Sequence, residues 1–79
     1  MNFATFKRNF YFKVLPYKDT NLRNGQKLMI YLNDIWKEEY LRLSSVHYYD
    51  AKNIDCFYND KLINNTFTHL EKEWKNYPN

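Results

Sequence analysis

Sixteen of the 79 residues are aromatic, while cysteine and glycine occur once each. That combination constrains the fold more than any motif does. A chain this short hides little of itself on folding, roughly 60% of its surface at about 60 residues. A lone cysteine rules out an internal disulfide. Stability has to come from a core of large rings, each able to bury about 150–250 Å². The length suits one domain over residues 1–79. One glycine and two prolines exclude glycine-rich phosphate loops and low-complexity linkers. The longest apolar run, Leu28-Met29-Ile30-Tyr31-Leu32, is far too short to span a membrane. Met1 opens no basic–apolar–small leader pattern. A lone thiol without a leader predicts a cytoplasmic protein.

Alternation predicts a strand over Asn9–Leu15. Phe10, Phe12 and Val14 share one face, and Tyr11, Lys13 and Leu15 the other. Aromatic and β-branched residues suit a strand, and Pro16 ends it and biases Leu15 toward extended backbone. Phe3 and Phe6 can cover the same core. Asp19-Thr20-Asn21 reads as a turn and helix cap. From Leu22 or Gly25 to about Leu43, spacings of three and four predict an amphipathic helix. It carries two overlapping stripes: Leu28, Tyr31, Leu32, Ile35 and Glu39, and Met29, Leu32, Trp36, Tyr40 and Leu43. A helix that includes Gly25 pays up to about 1 kcal/mol relative to alanine. Such a glycine needs a reason, for example close approach of another backbone.

Ser44-Ser45 stops that helix. Residues 45–49 read as a short second strand pairing with 10–14, or as an ordered loop. Ile63, Phe67, Leu70 and Trp74 then mark a second helix. Asn59 is its N-cap, Asp60 a favourable charge at its positive end, and Tyr58 a staple on Ile63. The expected fold is α+β: an N-terminal strand, paired or single, packed on two amphipathic helices. An all-α bundle with an extended arm is the alternative. The expected core is Phe10, Phe12, Val14, Leu28, Leu32, Ile35, Leu43, Ile63, Phe67, Leu70 and Trp74.

Reactive chemistry is sparse. His47, Cys56 and His69 show no CxxC, HxxxH or HExxH spacing, so no metal, cofactor or catalytic residues are assigned. His69 reads as exposed on the second helix and His47 as part of a polar loop. Cys56 reads as a small buried apolar residue rather than a nucleophile.

Charge is unevenly placed. Residues 1–27 hold six basic side chains and one acidic, whereas residues 28–79 hold six and eight. Lys7, Arg8, Tyr11, Lys13, Tyr17, Lys18 and Arg23 interleave cations with rings, as single-strand nucleic-acid binders do. Tyr48 and Tyr49 add rings in the 44–54 link. These nine residues are the expected partner-binding set, because exposed tyrosine and arginine dominate binding hot spots. Exposed rings and an open strand edge would also suit a homodimer.

Arg23-Asn24-Gly25-Gln26-Lys27-Leu28, then Asp55-Cys56-Phe57-Tyr58-Asn59-Asp60 ahead of Trp74, resembles a pattern near R-x-G-Q-x-L … D-x-F-Y-x-D … W. That pattern marks a group of small phage- and prophage-encoded proteins of unassigned activity. The similarity covers roughly residues 22–74 and implies two helices joined by a D-x-F-Y turn. Residues 1–20 and 44–54 fall outside it. Asparagine, lysine, tyrosine, phenylalanine and isoleucine make up 38 of 79 residues; their A/T-rich codons fit such a setting in a low-GC host. Small cofactor-free proteins of phages often work by binding. The resulting expectation is a non-enzymatic inhibitor that occludes a host or anti-phage defence protein, such as a CRISPR effector or another ribonucleoprotein. A small basic nucleic-acid-binding accessory protein is the alternative.

Overall fold

A computed structural model describes residues 1–16, 21–45 and 51–78. Its described elements are helical: α1 (Phe3–Asn9), α2 (Asn24–Ile35), α3 (Lys37–Ser44), α4 (Ala51–Ile54) and α5 (Ile63–Glu73). A π turn, Phe10–Val14, extends α1, and 3₁₀ turns at Asp60–Leu62 and Trp74–Asn76 flank α5. No strand occurs among the described residues. The fold is therefore all-α, and the α+β expectation is corrected; the all-α alternative fits, with its N-terminal arm helical rather than extended. Val46–Tyr49, most of the expected second strand, lies outside the described residues, as do Asp19 and Thr20 of the expected turn.

The N-terminal strand reading failed because two periods fit the same residues. Phe10, Phe12 and Val14 alternate, but Phe3, Phe6, Phe10 and Val14 also recur at three and four. The helical register wins because it buries Phe6 and Phe10 completely, and because the helix is capped. Asn2 Oδ1 accepts from the Thr5 amide at 2.8 Å. Leu15, expected to be extended before Pro16, keeps helical angles of −60° and −43°. Phe12, assigned to the core, is 75% exposed, since helical phase turns it away from Phe10.

The long second segment is two helices. Trp36 adopts φ −146° and ψ 75° and divides α2 from α3. The bend lets α2 bury Leu28, Met29 and Leu32 while α3 buries Leu43. Trp36 itself is buried, with the Trp74 and Tyr77 rings edge-on to it at 5.4 and 5.5 Å. Ser44 closes α3 by donating to the Tyr40 carbonyl at 2.9 Å.

The helix around Phe67 forms as its apolar spacing predicts, with Phe67 and Leu70 buried and Ile63 and Trp74 partly so. Asn59 caps the 3₁₀ lead-in, its Oδ1 accepting from the Lys61 amide at 3.0 Å. The fully buried Thr66 hydroxyl donates to the carbonyls of Ile54 and Leu62, tying α4 to α5. Tyr58 does not staple Ile63. It is 81% exposed, and its ring lies against Phe57 and under the Arg23 guanidinium.

The two sequence motifs meet in space as a clasp. The Gly25 amide donates to Asp60 Oδ1 at 2.9 Å, so a carboxylate 35 residues away caps α2. Arg23 donates to the Phe57 carbonyl at 3.0 Å, and the Cys56 thiol donates to the Gly25 carbonyl at 3.3 Å. Asp55 Oδ1 accepts from the Phe57 amide at 2.9 Å, holding the turn. A Cβ on Gly25 would lie well inside van der Waals contact distance of the Cys56 carbonyl oxygen and 3.0 Å from Asp60 Oδ1. Gly25 thus sits within α2 for the reason anticipated: another backbone passes against it.

Candidate partner-binding surface

The outer face of α1 follows from what its inner face buries. With Phe6 and Phe10 turned inward, Lys7, Arg8 and Tyr11 face out. The π turn extends this face. The Leu15 amide bonds the Phe10 carbonyl at 2.7 Å, five residues back. The widened turn leaves Tyr11, Phe12 and Lys13 exposed in succession. π turns inside helices are rare and frequent at functional sites.

Lys7, Arg8, Tyr11 and Phe12 line a shallow groove of about 400 Å³ with Phe3 and, across on α5, Glu71. The Lys7 ammonium lies 5.3 Å from the centre of the Phe67 ring, a cation–π contact that spends part of this lysine on the fold. Tyr11 also stacks on Phe67 at 5.8 Å, yet remains 40% exposed.

The other expected site residues go elsewhere. Lys13 borders a separate groove against α2. Arg23 belongs to the clasp. Tyr17, Lys18, Tyr48 and Tyr49 lie outside the described residues. Of the five expected residues that are described, the structure brings together three, Lys7, Arg8 and Tyr11, and adds Phe12, which alternation assigns to the core.

A polar cluster was also missed. His69, expected to be exposed, is buried between α3 and α5. Its Nε2 lies 2.6 Å from Glu39 Oε2, so the ring donates there. Arg42 reaches Glu39 at 3.1 Å and Glu73 at 3.5 Å. Desolvation pushes the Glu73 carboxyl up, but the Asn76 amide and the Arg42 and His69 charges outweigh it and hold its pKa below the ordinary value. One sequence signal was available: Glu39 occupies a position on an apolar stripe, where a carboxylate needs a buried partner.

Cys56 is fully buried, and desolvation pushes its thiol up to about 11. A thiol so protonated is a poor nucleophile. Among the described residues, no group of three or more His, Cys, Asp or Glu converges on a metal position, and no helix is long and apolar enough to cross a membrane. No family model, no curated protein and no solved structure matches the chain.

Proposed function

We propose that this chain is a non-enzymatic binding protein. It acts by covering a functional surface of a host or anti-phage defence protein, with the outer face of α1 as its contact. The observation that carries this reading is Phe12, a ring 75% exposed on a helix that buries Phe6 and Phe10 completely. Tyr11 and Arg8 stand beside it in one groove. Large rings next to arginine concentrate binding energy at protein interfaces, and the basic side chains favour an acidic partner surface. The phage setting rests on the two-motif resemblance. Those motif residues bind one another in the clasp, so in this chain they serve the fold. They leave α1, outside the pattern, to distinguish this chain.

The test compares the tagged protein with its Arg8→Glu/Phe12→Ser variant as bait in lysate of a low-GC bacterium carrying defence systems, with and without nuclease. Both substituted side chains are exposed, so the variant's melting curve should match the parent's within about 0.5 kcal/mol. The expected result is one stoichiometric protein, resistant to nuclease and lost in the variant. Equal capture by the variant refutes the α1 face. Recovery of nucleic acid alone refutes a protein target and selects the alternative. Its affinity would then fall by about 0.7–0.9 log units per phosphate contact per log unit of salt.

A further inference from the structure

A second groove lies between the π turn and α2 and is built differently. It encloses about 670 Å³, inside the range of about 300–1,000 Å³ seen for ligand clefts. Val14, Leu22 and Ile30 give its lining an aliphatic part. Ile30 is 44% exposed although α2 fills the core with Leu28, Met29 and Leu32. Among the described residues three lysines line the groove, with Asp34 as the one carboxylate. They arrive from three elements: Lys13 from the π turn, Lys27 from α2 and Lys37 from the start of α3. Lys27 is pinned in place, its ammonium donating to the Leu15 carbonyl at 3.0 Å. Aliphatic lining together with these cations complements an aliphatic side chain flanked by carboxylates.

Nucleic acid fits this groove less well. Single-strand binders stack bases on open ring faces, and the one ring among the described residues lining the groove, Tyr31, is already stacked on Phe6 at 4.8 Å and 11°. Asp34 would also face the phosphates. We infer that the groove receives an acidic peptide segment of a protein partner, with an aliphatic side chain on Val14, Leu22 and Ile30 and carboxylates against Lys13, Lys27 and Lys37. The inference rests on reading the chain as a protein-binding module.

The test is an amide-resolved NMR titration of the whole chain with a capped synthetic peptide of two leucines flanked on each side by two glutamates. Shifts are expected at Lys13, Ile30 and Lys37, shrinking as salt rises. In the Lys13→Glu/Lys37→Glu variant the apparent affinity should fall about tenfold; both lysines are exposed, and unchanged spectral dispersion will verify the fold. Absent shifts, shifts elsewhere, or equal shifts from a peptide with lysines in place of the glutamates would overturn the inference. Stronger shifts at the same amides from adenosine monophosphate would overturn it in favour of a nucleotide. No natural partner enters the titration, so failure of the α1 face in lysate and failure of this groove are separate results.

Discussion

Gly25→Ala is the substitution that most directly tests how the two halves of the chain are held together. Gly25 lies in the first turn of α2 with no positive φ. Helix propensity alone therefore favours alanine, by about 0.5–1 kcal/mol. The packing predicts the opposite sign. The added methyl would press into the Cys56 carbonyl oxygen and lie 3.1 Å from its carbon. That obstacle is backbone, so the turn from Cys56 to Asp60 must move by about 1 Å to restore ordinary contact. The movement pulls apart the Gly25–Asp60 bond, whose charged acceptor makes it worth about 1.5–3 kcal/mol, and weakens the Arg23–Phe57 bond, worth about 0.5–1.5 kcal/mol. Set against the propensity gain, the net loss is about 2 kcal/mol. For a domain of this size that lowers Tm by about 8–16 °C. Thermal unfolding followed by circular dichroism reads it. Asp60→Asn, which keeps an acceptor oxygen but no charge, should fall between the two proteins. A Gly25→Ala protein as stable as the parent, or more so, would refute the account of the clasp.

Two further outcomes follow from the buried polar groups. His69→Leu strands the Glu39 carboxylate against Arg42 alone and should cost about 2–3 kcal/mol in urea unfolding, whereas Glu39→Met with His69→Leu should cost less than the two single changes added; a strictly additive pair would show that the two side chains do not interact. Cys56 has its folded pKa raised from 9.0 to about 11, so its contribution is complete below pH 9 and is lost as pH rises toward 11. The native thiol should resist a disulfide reagent at pH 8 and react at once in urea, and parent stability should fall more steeply between pH 9 and 11 than that of Cys56→Ala. Parallel slopes would contradict the assigned burial.

How much of this was legible in the sequence depended on whether one period or two fitted a segment. Ile63, Phe67, Leu70 and Trp74 admit only a helical reading, and that helix is there. Phe10, Phe12 and Val14 also satisfy alternation, and the local pattern contains nothing that favours the longer stripe back to Phe3. The capping contact at Asn2 was the missing vote. Gly25 was flagged correctly, because a glycine in a helix has few explanations besides close approach. The break at Trp36 is not legible, because no proline or glycine marks it and the apolar spacing continues across it. On the candidate surface, Lys7, Arg8 and Tyr11 were legible as exposed cations and a ring. Phe12 was not, since its exposure follows from the helical phase that had been misread. His69 and Glu39 come from segments 30 residues apart, and no local pattern reports that kind of pairing.

The clasp also says something about which parts of such a chain are free to change length. Its bonds join residues 23–25 to 56–60, so α2, α3 and α4 form a closed loop tied at its base. The entropy of closing a loop grows only with the logarithm of its length, about 0.6 kcal/mol for each doubling. Residues added or removed in the link between α3 and α4 would therefore alter the closure energy little, provided the two tied ends stay intact. Chains with the same two motifs can then differ widely in that link and still close in the same way. Along the sequence, the clasp marks fixed points that are held by contact and not by the length of chain between them.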